Sequence, residues 1–123
     1  MIPSFASKRG RNNRKRGQVA ERELVVIFRA AGFAVLTQAG PNRRDFVAQH
    51  GEAEPYSVEC KSLTAQWPRP AMVAGAWAQA LRQAPPYRPL LVYCLRRQGV
   101  KTEWRVYWPD GPESLADWLV RVV

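Results

Sequence analysis

An amphipathic helical segment that runs directly into three short strand-like segments constrains the fold of this chain most. Apolar side chains recur at steps of three and four between residues 18 and 31, and Gly32 stands where a helix would end. Residues 33–37, 45–49 and 56–61 then have the composition of strands, with turn residues between them. This pattern predicts one helix followed by a three-stranded meander.

The second half of the chain continues this alternation of helix and strand. A helical pattern over residues 71–83 ends before a pair of prolines, which cannot continue a helix. Two strand-like segments follow at 90–95 and 104–108, and a short helix is predicted at 114–120. This order predicts an α/β fold in which helices flank a central, mixed, five-stranded β-sheet.

The length of 123 residues fits a single domain with one core. We expect a basic, flexible arm over residues 1–16 and a folded domain over residues 17–123. The arm has no hydrophobic period and contains six basic side chains before the first acidic residue: Lys8, Arg9, Arg11, Arg14, Lys15 and Arg16.

The charge balance indicates a polyanionic partner. The chain has 19 Lys and Arg against 10 Asp and Glu, a net charge of +9. Basic side chains that neutralise phosphates release counterions, so nucleic acid is the natural partner. The alternatives are a solvated tail or a contact with anionic lipid, and neither a basic amphipathic helix nor a lipidation motif supports the second.

The composition argues against several other classes. No apolar run approaches the roughly 20 residues that span a bilayer, and the basic N-terminus lacks the apolar stretch of a secretory signal. We therefore expect no membrane contact and an intracellular, cytoplasmic location, associated with the nucleoid or, for a phage protein, in the host cytoplasm. Cys60 and Cys94 are expected to be buried thiols, and His50 is too isolated for a zinc site.

The third predicted strand carries two charged side chains on one face. Glu59 and Lys61 are two residues apart, and a turn near Gly51 could bring Asp45 beside Glu59. Two adjacent carboxylates favour Mg²⁺ or Mn²⁺ over zinc, and such a site with a nearby amine suits phosphodiester hydrolysis. A simple ion pair between Glu59 and Lys61 would give the same pattern, so that alternative stays open.

The spacing of these residues resembles the core motif of the PD-(D/E)XK nuclease superfamily, and the local sequence is similar to the archaeal-type Holliday-junction resolvases. The similarity lies in KRGQVAEREL at residues 15–24, GFAV at 32–35, Asp45, and ECK at 59–61. It implies a single restriction-endonuclease-like domain that acts as a homodimer. The second and third helices both have apolar residues that could form the dimer surface, and the sequence does not choose between them.

The resemblance also implies roles for individual residues. Glu21 would join Asp45, Glu59 and Lys61 as a catalytic residue and would bind metal with the first two. Arg22 would contact the phosphate backbone; without the resemblance, both helix residues read as solvent-facing charges. Beyond the basic side chains of the arm, the expected DNA-binding residues are Arg22, Arg43, Arg44, Trp67 and Arg69.

Two departures from the family pattern stand out. Arg44 precedes Asp45 where the motif has a proline or an apolar residue, which predicts either a distorted strand start or a DNA contact. The loop after Lys61 carries Trp67 and two prolines, and Trp67 is the aromatic residue best placed to stack on a base.

The sequence thus predicts a metal-dependent endonuclease that resolves four-way DNA junctions. One alternative keeps the chemistry but acts on other DNA structures, as a restriction-like or repair nuclease. The other alternative is a basic nucleic-acid-binding module without catalysis, in which Glu59 and Lys61 are merely paired.

Overall fold

The computed structural model describes the backbone of residues 5–37 and 44–123 and the side chains of residues 17–37 and 44–123. Within these ranges, no helix combines the length and the apolar character needed to cross a membrane. In chain order the elements are α1 Phe5–Ala30, β1 Phe33–Thr37, β2 Phe46–His50, β3 Tyr56–Leu63, α2 Pro70–Gln83, β4 Arg88–Leu95, β5 Glu103–Trp108, β6 Gly111–Ser114 and α3 Leu115–Val122.

The strands form one mixed sheet in the order β1-β2-β3-β4-β5-β6. Only β3 and β4 run parallel, and α2 provides the crossover that a parallel pair requires. All other neighbours are antiparallel. The predicted fold class, an α/β domain with a mixed sheet flanked by helices, is therefore confirmed.

The sheet has six strands, so the predicted number of five was wrong by one. The additional strand, β6, pairs antiparallel with β5 at the edge of the sheet, where Trp108 lies opposite Gly111. This strand is only four residues long and contains Pro112, which is tolerated at an edge because an edge strand leaves backbone donors unpaired. Its four residues, Gly-Pro-Glu-Ser, include no β-branched or aromatic side chain, so the sequence carries no strand signal here.

The larger core lies between the sheet and the helices α1 and α3. Leu24 and Phe28 of α1 and Trp118 of α3 pack there against Val58 and Val92 of the central strands. These side chains are almost completely buried. The packing on this face of the sheet is apolar.

A second core lies between the opposite face of the sheet and α2. Trp77 packs there with Leu91, Tyr93 and Tyr107, and its indole nitrogen donates to the Tyr107 carbonyl oxygen at 2.9 Å. Leu91 and Tyr93 alternate along β4 with residues of the first core, as the pleat of a strand requires. The two cores place helices on both faces of β3, the strand that carries Glu59 and Lys61.

Helix α1 begins at Phe5, well before the predicted start at residue 18. The prediction relied on an apolar period, which is absent from residues 5–16, whereas Lys, Arg and Ala have good helix propensity without one. The side chains of residues 5–16 lie outside the described part of the chain. The division into an arm (1–16) and a domain (17–123) therefore stays a prediction.

Candidate active site

Asp45 lies at the start of β2 and is bound to β3 at two points. Its backbone nitrogen donates to the Val58 carbonyl oxygen at 3.0 Å, and its carboxylate oxygen Oδ2 accepts from the Cys60 amide at 2.7 Å. The antiparallel register of β2 and β3, with Phe46 opposite Val58, produces this arrangement. The structure thus brings Asp45 to the strand that carries Glu59, as the sequence predicted.

Glu59 and Lys61 project from the face of β3 that is covered by α2. The Lys61 ammonium lies 3.2 Å from Glu59 Oε1 and donates a hydrogen bond to Gln79 Oε1 at 3.0 Å. Glu59 is only 6% exposed, and its second oxygen, Oε2, is buried without a hydrogen-bond partner. A buried carboxylate oxygen with no partner is costly, so this atom is available to a cation or a donor.

Three carboxylates influence one another at this point. Burial, and then the charge of Asp45, raise the pKa of Glu21 to about 7. Burial, with further contributions from Asp45 and Glu21, raises the pKa of Glu59 to about 7, although Lys61 acts in the opposite direction. Burial also raises the pKa of Asp45, while the Cys60 amide and Lys61 lower it. Such crowding of acidic groups favours either shared protons or a bound cation.

The donor set of Asp45 and Glu59 fits a hard divalent cation. Mg²⁺ is commonly held by one or two carboxylates, with water and substrate phosphate completing its octahedron. In the described ranges, no three side chains of Asp, Glu, Cys or His are grouped closely enough to bind a metal together. Electrostatic influence extends further than ligation, so Glu21 can shift its neighbours without being a ligand. A ligand role for Glu21 stays a prediction.

The predicted DNA-binding residues fall into different environments. Arg22 and Arg69 are exposed. Trp67 is half-buried, and the Arg105 guanidinium covers its ring at 4.1 Å from the centroid. Arg43 and the side chains of the six basic residues of the arm lie outside the described part of the chain.

Arg44 is held by the protein itself. Its guanidinium donates to Ser57 Oγ at 3.0 Å, to the Gln83 carbonyl oxygen at 2.6 Å and to the Pro85 carbonyl oxygen at 2.9 Å. It also lies over the Tyr87 ring, 5.1 Å from the centroid. The strand start is therefore braced by this side chain, and a contact of Arg44 with DNA stays a prediction.

The sequence did not single out Gln79 as a partner of Lys61. From the sequence alone, Gln79 could be either a surface glutamine or an orienting polar group near the metal; in the structure it is half-buried and accepts a hydrogen bond from the Lys61 ammonium. One signal was available: Gln79 is the first polar side chain of α2 after nine small or apolar residues, and it lies between the buried Ala76 and Ala80. A polar residue at such a position usually has a partner.

Two comparisons with known proteins show what this chain is similar to. A model of the archaeal Holliday junction resolvase (Hjc) family matches residues 12–70, which include Glu21, Asp45, Glu59 and Lys61. Among solved structures, the chain is similar to Hjc, a Holliday junction resolvase of Archaeoglobus fulgidus, with 18% sequence identity and a TM-score of 0.46. That similarity covers 85% of this chain and 88% of the other. The resemblance inferred from the sequence is confirmed.

Proposed function

We propose that this chain, whose residues 12–70 match the archaeal Holliday junction resolvase family, resolves four-way DNA junctions by metal-dependent phosphodiester hydrolysis as a homodimer. The observation that carries the proposal is the buried pair of carboxylates, Asp45 and Glu59, beside the Lys61 amine. A purely structural ion pair would satisfy the carboxylate. Here the Oε2 atom of Glu59 has no hydrogen-bond partner, and the pKa values of Asp45 and Glu59 are both raised.

The chain's own side chains would each have a distinct part in hydrolysis. A divalent cation, Mg²⁺ or Mn²⁺, bound by Asp45 and Glu59 would supply a Lewis acid and a nucleophilic water. The Cys60 amide fixes one oxygen of Asp45, which leaves the carboxylate little freedom to turn. Gln79 and Glu59 hold the Lys61 ammonium, so this charge is placed in advance to stabilise the phosphate in the transition state.

The surface charge supports a DNA substrate. The net charge of +9 exceeds what solubility requires, and Arg22 on α1 follows the acidic Glu21 directly in sequence. Arg69, at the end of the loop after β3, is also exposed. Exposed guanidinium groups suit contacts with the phosphates of a DNA backbone, because they bind phosphate oxygens in a bidentate geometry.

The proposed dimer would use α2, because its exposed residues up to Leu81 are all small or apolar, and the charged Arg82 lies only in its last turn. The exposed side chains of α2 include Met72 and Leu81, which are 51% and 57% exposed. On α3, Leu115 and Trp118 are buried in the core, and the exposed Val120 shares the surface with the charged Asp117 and Arg121. The exposed small or apolar residues on α2 are Ala71, Met72, Ala74, Gly75, Ala78 and Leu81. Such a face suits close packing of two helices around a two-fold axis, which would give a junction two active sites.

The deciding experiment compares a synthetic four-way junction with a linear duplex of the same arm sequence, each with Mg²⁺ or with EDTA. Symmetric nicks in the junction that need Mg²⁺ and are absent from the duplex are expected. Equal cleavage of both substrates would favour a restriction-like or repair nuclease. Binding of the junction without cleavage at any metal concentration would favour a basic binding module.

A further inference from the structure

Arg44 occupies the position before Asp45, where the superfamily motif has a proline or an apolar residue. Its guanidinium is half-buried and contacts two other elements at once. It donates to the Ser57 hydroxyl of β3 and to the carbonyl oxygen of Gln83, the last residue of α2. The Pro85 carbonyl oxygen and the Tyr87 ring follow α2 directly. One side chain therefore joins the start of β2 to β3 and to the end of α2.

The end of α2 needs such a donor. The last carbonyl groups of a helix have no partner within the helix, and they carry the negative end of its dipole. Pro85 and Pro86 follow, and neither has a backbone N–H that could satisfy these carbonyls. The planar guanidinium offers several donors in fixed directions, whereas a lysine ammonium is a point charge on a flexible stem. The geometry therefore uses the shape of arginine as well as its charge.

Each contact of Arg44 lies next to a part of the proposed site. Asp45 is its neighbour in the chain, and the Asp45 carboxylate reaches Cys60. Ser57 lies two residues before Glu59 and so on the same face of β3. Helix α2, whose end Arg44 binds, also carries Gln79, which holds Lys61. Loss of the guanidinium would loosen the starting point of β2 relative to both elements.

We propose that Arg44 is a positioning residue, whose guanidinium ties the end of α2 to β2 and β3 and thereby keeps Asp45 against the Cys60 amide. The proposal deepens the function proposed above and depends on it for its effect on cleavage. It differs from the sequence-based expectation of a DNA contact. The proposed role requires the planar, multiple-donor guanidinium of arginine, and it requires no contact with phosphate.

The first test measures, in the absence of DNA and metal, whether the Asp45 carboxylate stays in contact with the Cys60 amide. The amide of Cys60 donates to Asp45 Oδ2, so its proton chemical shift and hydrogen-exchange rate in NMR spectra report that contact. We expect Arg44→Lys and Arg44→Gln to move the Cys60 signal upfield and to speed its exchange about 10-fold or more. Unchanged Cys60 signals in both variants would overturn the proposal.

Arg88 provides a matched control. Its guanidinium also lies over a tyrosine, 3.9 Å from the centroid of Tyr56, and donates to the carbonyl oxygen of Glu54. Glu54 precedes β3 and Tyr56 is its first residue, whereas Asp45 binds β3 further along, at Cys60. Arg88→Lys should leave the Cys60 amide unchanged. An equal shift in Arg88→Lys and Arg44→Lys would mean a general loosening of the sheet and would count against a specific role.

The second test separates positioning from DNA contact by cleavage kinetics. A displacement of a reacting group by about 1 Å can cost on the order of 100-fold in rate. We therefore expect Arg44→Lys to slow single-turnover cleavage at saturating enzyme by about 10- to 100-fold, with junction affinity within about 2-fold of wild type. A DNA contact predicts the reverse: weaker affinity, partial rescue by lysine and a normal rate at saturation.

A milder variant, Ser57→Ala, keeps the test valid if the Arg44 variants fail to fold. Ser57→Ala removes one acceptor of the guanidinium and should shift the Cys60 amide in the same direction by a smaller amount. No shift in a folded Ser57→Ala protein would count against the proposal. If the wild type cleaves no DNA, the proposed function fails, while the Cys60 amide still decides whether Arg44 positions Asp45.

Discussion

Among the five ion pairs of the described residues, each between a glutamate and a basic side chain, the pair of Glu113 with Arg121 and the pair of Glu59 with Lys61 differ in almost every other respect. Glu113 of β6 receives two hydrogen bonds from Arg121, at 2.6 Å and 3.0 Å, and one from the Trp108 indole at 2.5 Å. Glu59 lies 3.2 Å from Lys61, and its second oxygen has no partner. The pKa of Glu113 is lowered, chiefly by Arg121, whereas burial and Asp45 raise the pKa of Glu59 to about 7.

The difference shows that the surroundings of an ion pair decide what it can do. Glu113 is satisfied by donors and stays ionised, so it anchors α3 to β6. Glu59 is buried beside other carboxylates, so its negative charge is favourable only when a further cation is present. Proximity of opposite charges is common to both pairs. The unpaired oxygen and the neighbouring acids distinguish the pair at Glu59 and support its place in the proposed metal site.

The largest effect should come from removing either proposed metal ligand. We expect Asp45→Asn and Glu59→Gln to lower single-turnover cleavage of a junction by at least about 1000-fold, because each removes an anionic oxygen from the cation site. Binding measured in EDTA should stay within about 2-fold, since the basic surface is intact. Glu113→Gln is the matched control and should cut at the wild-type rate. Full activity in either site variant would exclude this site.

Removing the basic partner of each pair should also have different effects on the cleavage rate. Lys61→Ala should slow cleavage by about 100- to 1000-fold if the ammonium stabilises the developing charge, by analogy with a removed oxyanion donor. Arg121→Ala should leave the rate unchanged, because Arg121 lies at α3, on a pair that contacts none of the site residues. The measurement is single-turnover cleavage at saturating enzyme. Equal rates for the two variants would favour a merely structural pair at Lys61.

The smallest effect concerns stability without metal. A pKa raised to about 7 in the folded protein, from 4.5, favours folding while the carboxyl is protonated. This contribution is complete below about pH 4.5 and is lost as the pH rises through about 7. The amide of Glu59→Gln does not titrate, so this variant does not undergo the loss of stability that wild type shows as the pH rises. In EDTA, its Tm relative to that of wild type should therefore rise by about 5 °C between pH 5 and pH 8.

Glu113→Gln again provides the contrast, because the pKa of the Glu113 carboxyl is lowered, whereas that of Glu59 is raised. A lowered pKa contributes stability above the unfolded value, near pH 4.5, and loses it only at lower pH. The Tm of Glu113→Gln relative to wild type should therefore be lower by a nearly constant amount from pH 5 to pH 8. A pH-dependent difference in this variant, or none in Glu59→Gln, would contradict the assigned shifts.

The sequence by itself determined the order of the main elements and the residues of the proposed site. The alternation of β3 put Glu59 and Lys61 on one face, and the glycine turn before it predicted the hairpin that brings Asp45 to β3. Both inferences depend on periods of a few residues, which a single sequence displays. The first strand, at 33–37, was predicted with the bounds that the structure gives it.

Only the tertiary structure decided which distant groups meet at the site. Gln79 reaches Lys61, and Arg44 reaches Gln83, because α2 crosses over between the parallel strands β3 and β4. The crowding that raises the pKa of Glu21 likewise depends on how α1 packs on the sheet. Local periodicity fixes the face on which a side chain lies, but not its partner across the fold. That partner depends on strand register and helix packing, which are set by the whole core at once.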